Sequence, residues 1–164
     1  MVRRHVIAII GSGSDSEPAV SNARELGRLI AENGWVLISG GRDAGVMKAA
    51  SEGARQAKDS LTIGILPNRD AKISDAVDVA IVTDTGHARN NIIVLTADVV
   101  IACGVEGAGT ASEVSLAIKN GKHVVLLDVG DEAKQFFARI GGGRVHPADT
   151  VQEAMEITEG LISS

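Results

Sequence analysis

His5-Val-Ile-Ala-Ile-Ile10 leads into Gly11-Ser-Gly-Ser14, and apolar residues then recur at Val20, Ala23, Gly27 and Ile30. The unbroken apolar run to Ile10 suits a strand buried on both faces. The spacing of three and four that follows is helical, and Asn33-Gly34 supplies its stop. Strand, glycine-rich turn and helix in that order form the first unit of an α/β fold.

The same alternation continues along the chain. Trp35-Val-Leu-Ile38 reads as a second strand and Gly45 to Ala57 as a helix; Leu61 to Leu66 is a third strand, stopped by Pro67. Val79 to Val82 is a fourth strand, Ala88 to Ala97 a helix, and Val99-Val-Ile-Ala102 a fifth strand. A helix from about Gly109 to Asn120 precedes a sixth strand, Val124-Val-Leu-Leu127. Helices around Glu132–Ile140 and Val151–Ile162 follow, the last opened by the capping-box pattern Thr150-Val-Gln-Glu153. This is the signature of a mostly parallel sheet with helices on both faces, in one domain spanning 1–164. Such sheets bind ligands beyond the carboxyl ends of their strands.

Composition narrows the functions. The 164 residues are 45% apolar and 23% charged, ordinary for a globular chain. No apolar run reaches the ~18 residues of a membrane span. Met1-Val-Arg-Arg4 meets the first strand without an apolar signal region, so a cytoplasmic protein is expected. A lone Cys103 makes no internal disulfide and excludes a cysteine-rich zinc site; the four histidines show no ligand spacing, only His87 falls near the strand-end crevice, and no metal site is expected. A net charge of −5 argues against nucleic acid as partner. With three aromatics (Trp35, Phe136, Phe137), base stacking is disfavoured too, whereas 19 glycines point to tight backbone loops.

Three glycine-dense turns follow strands. Gly11-Ser12-Gly13 begins like a dinucleotide fingerprint, but Ser16 stands where the third glycine belongs. Ser39-Gly40-Gly41-Arg42 leads to Gly45 at a helix start, where amides and an arginine suit an anion. Gly107-Ala108-Gly109-Thr110 opens the helix that carries Glu113 and is the strongest anion site of the three. It is not a P-loop, because Thr110 occupies the lysine position. Glu113 is either a helix-dipole partner or a carboxylate facing the crevice. Arg89 and Asn90 start another helix after a strand. Cys103 reads as a buried, inert thiol, and no Ser-His-Asp set is evident.

Gly34-Trp-Val-Leu-Ile-Ser-Gly-Gly41, Gly45-Val-Met-Lys-Ala-Ala50, Ile63-Gly-Ile-Leu-Pro67, Ile73-Ser-Asp-Ala-Val-Asp78, Ala88-Arg-Asn-Asn-Ile92 and Gly107-Ala-Gly-Thr-Ala-Ser-Glu113 together resemble the molybdenum cofactor carrier proteins. The likeness runs in order from about Ile7 to about Val151. The wider family includes the Lonely-guy phosphoribohydrolases. The resemblance implies a Rossmann-like, doubly wound sheet of about six or seven strands. It also implies a carrier that binds and protects the molybdenum cofactor, a phosphorylated pterin dithiolene, and passes it to molybdoenzymes without catalysis. A homodimer or homotetramer is expected on the same ground. The site would comprise Gly11, Ser12, Gly13, Ser39, Gly40, Gly41, Arg42, Gly45, Arg89, Asn90, Gly107, Ala108, Gly109, Thr110 and Glu113.

The alternatives are a nucleoside 5′-monophosphate phosphoribohydrolase, with Arg89 and Glu113 catalytic, and a nucleotide-sensing module. The hydrolases carry P-G-G-x-G-T-x-x-E. Here Gly107, Gly109, Thr110 and Glu113 match, but Val105 and Glu106 replace the proline and first glycine. A carboxylate at Glu106 repels a phosphate unless it is paired or turned outward.

Overall fold

The computed structural model describes residues 3–163; Met1 and Val2, half of the opening segment considered above, lie outside the described residues. Seven strands form one sheet: β1 (Val6–Gly11), β2 (Val36–Ser39), β3 (Leu61–Leu66), β4 (Val79–Val82), β5 (Val99–Cys103), β6 (His123–Leu127) and β7 (Val145–Ala148). Their order is β4-β3-β2-β1-β5-β6-β7 and every neighbouring pair is parallel. The chain therefore moves outward from β1 on one side, then crosses to the other side to begin β5. That reversal makes the fold Rossmann-like, and its switch point lies between β1 and β5.

The helices are α1 (Ala19–Glu32), α2 (Gly45–Ala54), α3 (Asn90–Thr96), α4 (Ala108–Lys119), α5 (Asp131–Gly141) and α6 (Val151–Ser163). Period-two alternation along β1 feeds two cores. Ile7 and Ile9 pack with Leu26 and Ile30 of α1, Val46 of α2 and Met155 of α6. Ala8 and Ile10 face the opposite way, toward Ile93 of α3, Val114 of α4 and Phe137 of α5. Both faces of β1 are thus dry, as its unbroken apolar run requires. α1 and α2 cross so closely that a Cβ on Gly27 would strike the backbone of Ala50, and one on Gly53 the backbone of Arg24.

Several elements depart from the sequence reading. The second helix ends at Ala54 rather than Ala57. The helix read from Ala88 begins instead as a 3-10 turn over Gly86–Arg89, with α3 proper starting at Asn90. β7 was not among the six strands named from sequence. Its short Val-His-Pro-Ala segment has no apolar run, and Pro147 is tolerated because β7 is an edge strand. β4 holds the other edge with all four residues exposed, so it is apolar without being buried. The α6 start keeps one bond of the expected capping box and shifts the reciprocal one by a residue. Glu153 N–H donates to Thr150 Oγ1 at 3.2 Å, while Glu153 Oε2 accepts from the Asp149 amide at 2.9 Å.

Candidate functional site

Gly11 and Cys103 are register partners at the carboxyl ends of β1 and β5, which places the following loops side by side at the switch point. A cavity of about 270 Å³ opens there. Gly11, Ser12 and Gly13 line it from the loop after β1, and Gly40 and Arg42 from the loop after β2. Arg89 and Asn90 reach it from the start of α3, and Gly107, Gly109, Thr110 and Glu113 from the start of α4. The structure thus brings three separate glycine-rich turns to one crevice.

Four of the residues expected there do not line the cavity. Ser39 is fully buried and accepts the Gly41 amide on its hydroxyl at 3.1 Å. Gly41 has a φ of +67°, and a Cβ on it would lie 2.6 Å from Gly64 Cα in β3. Its role is therefore the close passage of two backbones. Gly45 begins α2, but that helix start is filled from within the protein. The Gly45 amide donates to Asp15 Oδ1 at 3.2 Å and the Val46 amide to the Ser12 carbonyl at 3.0 Å. Ala108 lies at the α4 start without facing the cavity. Conversely, Met47 and His87 line the cavity and were not among the expected site residues.

The two helix starts now separate. α2 is satisfied by Asp15, whereas α4 has no side-chain cap, and its N-terminus retains donors and partial positive charge facing the cavity. Arg89 adds a full charge. It is only 7% exposed, and its Nε and Nη1 are buried with no hydrogen-bond partner. Asn90 Oδ1, likewise buried, has none either. Unpaired buried polar atoms of this kind are costly, about 1–3 kcal/mol each, and mark a place where binding energy can be recovered.

The charges of the site perturb one another. Burial lowers the Arg89 pKa, the Glu113 carboxylate opposes that shift, and Arg42 adds to it. Burial pushes Glu113 up to about 7, with Arg89 pulling the other way. Near neutral pH this carboxyl therefore changes charge inside the cavity that it shares with Arg89, Arg42 and the start of α4. Glu106 is not left bare beside Gly107, because its Oε2 accepts the Ser16 hydroxyl at 3.2 Å. Cys103 is fully enclosed and its thiol is pushed up to about 12 by burial, so it stays protonated.

Among the described residues, no helix is long and apolar enough to cross a membrane. The model of the SLOG cluster4 family matches residues 4–155. A protein of Archaeoglobus fulgidus with no described function is 46% identical over 121 residues, covering 74% of this chain and 78% of its own length. Among solved structures, the molybdenum cofactor binding protein of the phototrophic bacterium Rippkaea orientalis superposes with a TM-score of 0.93 at 48% identity, covering 99% of both chains. The molybdenum cofactor carrier protein of Chlamydomonas reinhardtii gives a TM-score of 0.92 at 44% identity, over 98% of this chain and all of that one. The resemblance drawn from the motifs is therefore met at the level of the whole fold.

Proposed function

This chain belongs to the SLOG cluster4 family, and we propose that it is a carrier that binds the molybdenum cofactor, protects it and passes it to molybdoenzymes without turnover. One observation carries the reading: the uncapped start of α4 and the unpartnered Nε and Nη1 of Arg89 share a single cavity. That pairing fits the cargo's phosphate, which takes charge-assisted hydrogen bonds from helix-start amides and arginine. We place the phosphate on the Gly107–Thr110 turn, with Arg89 and Arg42 as counter-charges. The pterin lies across Gly11–Gly13 and Gly40, next to Asn90. The likeness to the carrier proteins named above, at 44–48% identity over almost the full chain, supports the same reading.

The proposal includes a cytoplasmic setting and a homodimer, or a tetramer of two dimers. Ile92 and Leu95 on α3 and Val79, Ile81 and Val82 on β4 are each 42–47% exposed, an unusual outlay of large apolar side chains. A closed symmetric assembly would cover such surface twice over.

A second reading is favoured by one feature, the Glu113 carboxyl titrating near neutrality in the cavity. That is the property of a general acid or base, and it suits hydrolysis of nucleoside 5′-monophosphates. Val105 and Glu106, in place of the hydrolases' proline and glycine, weigh against it. The test is a pterin assay on the protein purified from a cofactor-producing host. Near-stoichiometric phosphorylated pterin is expected; its absence overturns the carrier reading.

A further inference from the structure

Gly40 opens the second βα turn, directly after β2, yet the backbone does not demand a glycine there. Its φ is not among the positive ones, unlike those of Gly41 and Gly45. The demand comes from space. A Cβ on Gly40 would lie 2.6 Å from Met47 Sδ and 3.0 Å from Arg89 Cζ, and closer still to Arg89 Nη1. Real Cβ atoms do not tolerate such approaches. The guanidinium therefore lies against the bare Cα of Gly40, and Met47 Sδ borders the same space.

We propose that Gly40 is a positioning residue: its missing side chain forms the slot that holds the Arg89 guanidinium on the cavity wall, with Met47 of α2 as the slot's other side. This rests on the reading of the cavity as an anion site, and it assigns Gly40 a duty other than offering its amide to the ligand. A guanidinium held in a narrow, desolvated slot has already lost its rotamer freedom before the ligand arrives. Its charge also acts through a less polar medium than water. Any side chain at position 40 drives Arg89 from that place, so Gly40→Ala should act on phosphate binding through Arg89, whereas the pterin, laid across Gly40, also meets the new methyl.

The test is a double-mutant cycle on the full chain, with wild type, Gly40→Ala, Arg89→Ala and the pair. Each is measured for affinity for inorganic phosphate, for retained molybdenum cofactor and for thermal unfolding. Gly40→Ala is expected to weaken phosphate and cofactor binding about tenfold or more, as Arg89→Ala does. The pair should bind phosphate no more weakly than Arg89→Ala. The stability lost in Gly40→Ala should shrink in the Arg89→Ala background, where Met47 can swing into the vacated space. Additive losses of phosphate affinity, or wild-type phosphate binding by Gly40→Ala, overturn the assignment. If Gly40→Ala alone does not fold, a folded double variant supports the slot and an unfolded one overturns it. A wild type that holds no cofactor defeats the carrier reading, while the unfolding arm, which needs no ligand, still decides the role of Gly40.

Discussion

Ser16 donates its hydroxyl to Glu106 Oε2 at 3.2 Å and so ties the loop after β1 to the loop after β5. The bond extends a chain of hydroxyls, with Ser12 Oγ and Ser14 Oγ 2.7 Å apart and Ser14 Oγ and Ser16 Oγ 3.5 Å apart. It also occupies the carboxylate that would otherwise face an incoming anion next to Gly107.

Glu106 then acts on binding as an exposed, distance-weakened repulsion. Glu106→Gln keeps an acceptor for Ser16 and removes the charge. Phosphate affinity, measured by calorimetry, is expected to rise about two- to fivefold at low salt, with the gain fading at high salt. A loss of affinity instead would mean that the carboxylate touches the ligand.

Glu113 makes stability and binding depend on pH. Its folded pKa of about 7 lies above the ordinary 4.5, so between those values the folded chain holds a proton that the unfolded chain has released. This contribution is fully present below about pH 4.5 and is lost as pH rises through about 7, with an upper limit of about 3 kcal/mol. Denaturant unfolding at pH 5 and pH 8 is expected to show the loss in wild type and not in Glu113→Gln. Sulfate, whose charge is constant over this range, should bind more tightly at pH 6 than at pH 8. His87 also lines the cavity, so the share due to Glu113 is the difference from Glu113→Gln. Equal slopes in the two proteins would remove Glu113 from the account.

The two glycine-rich positions Gly41 and Gly34 should respond differently to alanine. Gly34 has a φ of +72° with nothing near a Cβ, so Gly34→Ala should cost about 1 kcal/mol. Gly41 has a similar φ and also the Gly64 backbone in the way, so Gly41→Ala should cost about 3 kcal/mol or more. Urea unfolding of the two variants checks the order; equal losses would contradict the close passage of β2 and β3.

What could be read from the sequence follows the range of the interactions involved. β1 was legible because Val6–Ile10 must be apolar on both faces to feed two cores. β7 was not, because Val145–Ala148 is a strand through its pairing with β6 and carries no periodic signal of its own. The same holds at the site. That glycines cluster after strands was visible, as was the glycine-rich start of α4. Their individual duties were hidden, since Gly41 answers to Gly64, Gly45 to Ser12 and Gly40 to Arg89, each contact set by tertiary packing. Met47 looked like one more apolar helix residue, and only the placement of α2 against the first loop turns it toward the cavity.

The exposed apolar residues of α3 and β4 should mark the contact between copies. Leu95→Glu and Ile81→Lys are each expected to shift the assembly toward monomer in light scattering, with a thermal midpoint that depends less on protein concentration than that of wild type. A wild type that is monomeric at all working concentrations would contradict this.

Carrier and hydrolase share the phosphate grip, so the decisive measurement reads turnover and retention on the same samples. Wild type, Glu113→Gln and Arg89→Ala are purified from a cofactor-producing host and assayed for base release from nucleoside 5′-monophosphates and for retained molybdenum cofactor. A carrier should release no base above background, retain cofactor in wild type, and lose about tenfold or more of that retention in Arg89→Ala. Wild-type turnover that falls roughly 10²–10⁴-fold in Glu113→Gln, with no cofactor retained by any of the three, would contradict the carrier function.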